Sequence, residues 1–306
     1  MKIDTAEFEA KLVAMIHQSA CTLPEDNYAA LQQAHQGEAD GSIGKINLHT
    51  NLHNLNLSKE NKIPMCADTG YPVFFIRIGD MNVPNLADLH RGIHSAVRIA
   101  TQSGFIRPTV VDPLSRQNPG DNLGLGSPVV EFKVDPEIDY CEIIYAPKGG
   151  GTEIFGPSFR TLVVADGIQG VKKFVFDGLL VHGNKTGATC PPNIVGVGIG
   201  GTADSCMSLA KKAACLRKVG SRNPDPRISA LEDELLEVIN STGVGPLGMG
   251  GRTTVFDIHI EIALTHLVGT PIGMVCQCPA ARVGVLKISE DAEISHAGGW
   301  PGWFKY

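Results

Sequence analysis

Cysteine carries the most chemical potential in this chain of 306 residues, which holds eight of them, at 21, 66, 141, 190, 206, 215, 276 and 278. As a thiolate, cysteine is both a nucleophile and a soft metal ligand, so its local context decides what it can do. No CxxC pair occurs, which argues against a zinc ribbon or a thioredoxin motif. Cys21, Cys206 and Cys215 fall inside helical patterns and Cys141 inside a strand pattern, where a cysteine serves as a small buried hydrophobe. The rest differ. Cys66 precedes the turn Ala67-Asp68-Thr69-Gly70, and Cys190 precedes Pro191-Pro192, where a helix cannot continue. Cys276 and Cys278 follow an apolar strand pattern and lead into Pro279. Cysteines at the tips of three separate elements, each stiffened by Pro or Gly, form a metal-ligand pattern. Residues 276 and 278 are two apart and share one face of an extended chain, so spacing does not choose between them.

Glycine supplies the second kind of chemistry, through exposed backbone N–H groups. Lys148-Gly149-Gly150-Gly151 can form a nest for a carboxylate or phosphate, and Gly248-Met249-Gly250-Gly251-Arg252 is similar. Arg107, just before Pro108, offers a planar fork for a carboxylate. Gly196-Val-Gly198-Ile-Gly-Gly201 matches a dinucleotide fingerprint on its face, but no acidic residue closes a second strand about 20 residues on. A lone match of this kind is a weak signal, and close helix–strand packing is the preferred reading of those glycines. His266 lies just past a predicted helix through Glu261–Thr265. His259, seven residues earlier and inside that predicted helix, reads as an ordinary satisfied histidine of surface or core.

The elements that must position these groups are mixed. Residues 1–62 read as mostly helical, opened by Asp4 and Glu7 as a capping box with Phe8, Leu12 and Ile16 on one face. A strand is predicted over 72–78 and an amphipathic helix from Leu86 to Gly104, then a long Pro/Gly/Asn loop from 108 to 128. Strands follow at 129–134 and 141–147, a helix over 167–182, and a Val/Ile/Gly strand from Asn193 leading into a helix capped by Thr202. Another helix spans Ile228–Ile239 and ends at Gly243, and a short strand lies near Ile272–Cys276. The fold class expected is α+β, helices packed around a modest mixed sheet, in one domain over 1–306. A net charge of -6 argues against a sequence-independent nucleic-acid binder. No apolar run is long enough to span a membrane. The N-terminus lacks the apolar core of a signal peptide, so a cytoplasmic location is the expectation.

Taken in order, Pro64-Met-Cys-Ala-Asp-Thr-Gly70, Gly149-Gly-Gly151, Cys190-Pro-Pro192 with Val195-Gly-Val-Gly198, Gly220-Ser-Arg-Asn-Pro224, Gly245-Pro-Leu-Gly248 and His266 twelve residues before Cys278 resemble a known pattern. It is that of the α subunit of the class I, iron–sulfur-dependent fumarate hydratase and L-tartrate dehydratase family, over about 40–290, with the tail 291–306 unassigned. The resemblance implies the N-terminal, cluster-carrying fold of that family. It also implies a [4Fe-4S] cluster on Cys66, Cys190 and Cys278, the last preferred over Cys276 because Arg282 fits the family register. Asp68 and His266 are implied as catalytic residues, with Arg107, Gly149, Gly150 and Gly151 binding a small dicarboxylate. The reaction implied is reversible hydration, fumarate/(S)-malate first and L-tartrate second, with a non-catalytic iron–sulfur sensor or regulatory subunit as the alternative. A separate β subunit, in an assembly such as α2β2, would complete the enzyme. Ala67 and Ile154 depart from the family, which commonly has Gln and Asn there.

Overall fold

The computed structural model describes residues 2–80, 83–183, 187–297 and 300–304. The unassigned tail is therefore described except at 298, 299, 305 and 306. In chain order the elements are α1 (Thr5–Cys21), α2 (Glu25–Gly37), α3 (Ile43–Asn61), β1 (Val73–Ile78), α4 (Leu86–Gln102), β2 (Val129–Val134) and β3 (Cys141–Tyr145). They continue with β4 (Ser158–Val163), α5 (Gly167–Asp177), β5 (Asn193–Gly201), α6 (Ala203–Leu216) and α7 (Pro226–Ser241). The last are β6 (Val255–Thr265), β7 (Gly269–Gln277), β8 (Gly284–Ile288) and β9 (Ile294–His296). Two compact units result, one from 1–24, 55–149 and 282–303, the other from 25–54, 150–281 and 304–306. The mixed α/β class is as the sequence pattern predicts, with two mixed sheets where one was expected.

The first unit is built on a five-stranded sheet of order β2-β1-β3-β8-β9, in which only β1 and β2 run parallel. Asp4 caps α1 by accepting the N–H groups of Ala6 and Glu7 at 2.9 and 3.0 Å, and Phe8, Leu12 and Ile16 are fully buried beneath it. The helix packs on α4, where Gly92 lets the Phe8 ring sit closer than any Cβ would allow. Ile76, Ile93, Val97, Ile143 and Leu286 complete this core.

The second unit holds a four-stranded sheet of order β4-β7-β5-β6, with β5 and β6 parallel. Its segment Glu261–Thr265, predicted as helix, is instead the end of strand β6. From Val255 to Ile262 the β-branched isoleucines at 258, 260 and 262 alternate with Asp257, His259 and Glu261, a period of two that suits a pleated strand. Helix α6 lies directly on β5: a Cβ on Gly196 or Gly198 would come within 2.0 Å of the Ala210 or Cys206 carbonyl oxygen. The G-x-G-x-x-G pattern thus serves close helix–strand packing. Residues 178–183 continue α5 as a π-helical stretch, so the helix predicted over 167–182 changes pitch part-way.

Candidate functional site

In the first unit, four of the sequence-predicted residues gather at one end of the five-stranded sheet. The segment before β1 is anchored by Met65, whose N–H donates to the Ala20 carbonyl at 2.9 Å. Cys66 and Asp68 are half-buried on it, while Thr69 is buried. Asp68 turns the chain by accepting the Gly70 N–H at 2.9 Å, an Asx turn. Gly70 takes φ +88°, a left-handed value that favours glycine, and brings Tyr71 into paired hydrogen bonds with Lys148 at 2.7 and 3.0 Å. Gly149 follows directly. Arg107 joins through its backbone, donating its N–H to the Thr69 hydroxyl at 2.8 Å, with its own side chain exposed.

Two residues that sequence reasoning missed hold this end in shape. Buried Asn122 accepts the N–H groups of Thr109 and Val110 and donates to the Arg107 carbonyl, all within 3.2 Å, so the long loop is tied to the site. Arg282, known to the sequence only as a register mark, donates Nη1 to the Asp68 carbonyl at 3.1 Å.

In the second unit, Cys190 and Cys278 flank the same end of the β5–β7 pair. Asn193, fully buried at the start of β5, spans them: its Nδ2 donates to the Thr189 carbonyl at 2.9 Å and to the Gln277 carbonyl at 3.1 Å, and its Oδ1 accepts the Thr189 hydroxyl at 2.9 Å. Each carbonyl lies one residue before a cysteine. Cys190 itself takes φ +54°, strained for a side chain with a Cβ, the kind of outlier that persists where its surroundings over-determine it. Gly150 and Gly151 open a π-helical turn at this end, and a Cβ on Gly151 would fall 2.3 Å from the Ala188 carbonyl oxygen.

His266 does not join this group within its own chain. It is exposed in the loop between β6 and β7, accepting the Val268 N–H at 3.3 Å, and the nine residues of β7, roughly 27 Å at the rise of a strand, separate it from the Cys278 end. His259, left open between surface and core by the sequence, is a core residue of strand β6 and not of a helix, fully buried with its ring nitrogens 3.1 Å from the Ala213 carbonyl and the Asp257 carboxylate. The second glycine nest does hold a carboxylate, but one of the chain's own: Glu38 accepts the N–H groups of Arg252 and Thr253 at 2.6 and 3.1 Å.

The cysteines sort by burial into two sets. Cys21, Cys141, Cys206, Cys215 and Cys276 are buried, whereas Cys66 and Cys278 are half-buried and Cys190 is exposed. Burial pushes the Cys141 thiol up to about 12 and raises those of Cys21 and Cys206, which disfavours the thiolate a ligand must be. Cys276 is enclosed in β7 opposite Val195; Cys278 lies just beyond the strand. Among the described residues no three His, Cys, Asp or Glu side chains gather closely enough to hold a single metal ion. The accessible donors are three soft thiols, a set that fits an iron–sulfur cluster with one iron uncapped.

The fold is a mixed α/β one with three accessible cysteines on turns held by buried side chains. The profile of the Fumarate hydratase (Fumerase) family matches residues 9–287. A Methanocaldococcus jannaschii protein provisionally named as an L(+)-tartrate dehydratase subunit alpha is 41% identical over 285 residues, covering 92% of this chain and 98% of its own length. The L(+)-tartrate dehydratase subunit alpha of Escherichia coli K12 is 34% identical over 285 residues, covering 93% of this chain and 91% of its own. The chain belongs to the fumarate hydratase family, whose members are hydro-lyases. No helix among the described residues is long and apolar enough to cross a membrane.

Proposed function

We propose that residues 1–306 act as one α domain of an iron–sulfur hydro-lyase that reversibly adds water to a small dicarboxylate, fumarate giving (S)-malate. The observation that carries this reading is the division of eight cysteines into five buried and three accessible, the three being Cys66, Cys190 and Cys278 on turns reinforced by Asn193 and Arg282. When bound, a three-thiolate cluster supplies a Lewis acid that lowers the cost of expelling hydroxide, a poor leaving group. Asp68, held by the Gly70 N–H and two residues from Cys66, holds the proton at the substrate hydroxyl. Arg107, whose guanidinium is exposed, takes one carboxylate, and the backbone N–H groups of Gly149, Gly150 and Gly151 take the other. The names of the relatives, subunit alpha in each case, support a separate β subunit and an assembly such as α2β2. Those same names favour a second reading, with L-tartrate as the substrate dehydrated. A cytoplasmic location remains part of the proposal.

The test is anaerobic purification of the chain with its β partner, iron and sulfide analysis, and assay with (S)-malate and both tartrates side by side. Cys66→Ala, Cys190→Ala and Cys278→Ala should each lose the cluster and the activity, whereas Cys276→Ala should keep both. Retention of cluster and turnover by Cys190→Ala would remove the ligand assignment. Cluster binding without any turnover would leave a sensor or regulatory subunit instead.

A further inference from the structure

Three arginines are buried among the described residues, and two of them are paired with acids. Arg77 meets Asp135 at 3.3 Å and Glu142 at 3.2 Å, and Arg217 meets Glu232 at 2.6 Å and Glu261 at 3.1 Å. Arg282 differs. It is 2% exposed, yet among the described residues no acidic side chain pairs with it; Nη1 donates to the Asp68 carbonyl at 3.1 Å and Nε has no partner. On the adjoining strand β3, opposite Gly284, the hydroxyl of fully enclosed Tyr145 also has no partner. The phenol lies close enough to feel the guanidinium charge, while burial drives its pKa above the usual range and keeps it a neutral donor.

A buried charge without an opposite charge costs several kcal/mol, and proteins rarely keep one without a use. The geometry narrows that use. Arg282 reaches the backbone two residues after Cys66, from the buried side of the turn, whereas a substrate carboxylate arrives from solvent, where Arg107 is exposed. Three thiolates on a cubane make a net anion that becomes more negative on reduction, so a fixed cation behind one ligand turn stabilises the reduced form more than the oxidised one.

We propose that Arg282, with Tyr145 as a second donor, is the electrostatic partner of the cluster held at Cys66, positioning that ligand turn and raising the cluster's reduction potential. This rests on the cluster reading given above, and iron and sulfide content of the parent protein tests that reading separately.

The experiment is an anaerobic redox titration of the reconstituted holoenzyme, followed by electron paramagnetic resonance, on the parent and on Arg282→Gln, Arg282→Lys and Tyr145→Phe. Arg282→Gln keeps a donor for the Asp68 carbonyl but removes the charge. It should hold iron and sulfide as the parent does and lower the potential by at least a tenfold change in the oxidised-to-reduced ratio, or 59 mV for one electron. Arg282→Lys should stay within about threefold of the parent ratio, by retaining the charge. An unmoved potential in fully loaded Arg282→Gln overturns the proposal. So does a tenfold rise in KM with the potential unchanged, which would make Arg282 a substrate ligand. Should Arg282→Gln fail to fold, Tyr145→Phe decides with Arg282→Lys: a potential unmoved in the first and displaced in the second has the same force as refutation.

Discussion

Asn193 is the side chain whose loss should be felt most at the second unit's cysteine-bearing end. Its amide makes three hydrogen bonds of 2.9 to 3.1 Å, two to the carbonyls preceding Cys190 and Cys278 and one from the Thr189 hydroxyl, with both Asn193 and Thr189 fully buried. Each neutral bond is worth about 1 kcal/mol net, and a buried group stranded by its removal costs about 1–3 kcal/mol. Asn193→Ala should therefore destabilise the chain by about 3 kcal/mol, read as a lower urea midpoint at unchanged m value. Asn193→Asp is the sharper perturbation, because it has the same shape but turns an oxygen toward two carbonyl oxygens now accepting from Nδ2. At neutral pH it should be less stable than Asn193→Ala. The variant's buried carboxyl gains from its proton, so its folded pKa lies above the unfolded value, and stability should recover as pH falls and be lost as pH rises through that folded value. On the proposed ligand assignment, iron retained per chain after desalting should fall in the same order, because both cysteine turns hang on this amide. The reasoning fails if Asn193→Ala unfolds within about 0.5 kcal/mol of the parent, or if Asn193→Asp is the more stable of the two at neutral pH.

Two further outcomes follow from the second unit. Burial raises the Glu261 carboxyl from 4.5 to about 7 despite its contact with Arg217, helped by the neighbouring Glu232. An acid whose folded pKa is raised stabilises the fold while it keeps its proton, so this contribution is present at low pH and is lost as pH rises from 4.5 through about 7. Glu261→Gln should flatten that decline in a series of denaturation midpoints, and parallel curves for variant and parent would count against it. Strand β7 separates His266 from the Cys278 end of its own unit, so a role shared between copies is directly testable for this histidine. Mixed His266→Ala and Cys190→Ala chains should then regain part of the activity that each lacks alone, and no recovery in assembled mixtures would exclude the role.

Much of the architecture was legible because local pattern and tertiary demand agree. Asp4 and the Phe8, Leu12, Ile16 face specify α1, and Thr202 marks the start of α6. The strands at 129–134 and near 141 stand where β-branched residues place them. The segment from Glu261 to Thr265 misled because five residues hold barely one helical turn, while the alternation that marks β6 begins earlier, at Phe256. Strands β4, β8 and β9 carry no sequence expectation here: β4 and β8 owe their form to partners far along the chain, and β9 is a three-residue strand laid on β8.

For the site, the sequence alone supplied the reactive residue types: three thiols beside turn-forming Pro and Gly, a carboxylate two residues from one of them, and glycine-rich loops. Those are local facts, fixed by backbone restriction at proline and freedom at glycine. Only tertiary structure could show that one glycine nest already grips Glu38, that Asn193 ties two cysteine turns together, and that among the described residues no acid answers the buried charge of Arg282. Each of these depends on groups separated by many residues being brought within about 3 Å, and hydrogen bonds and buried charges are decided at that range, which spacing along the chain does not encode.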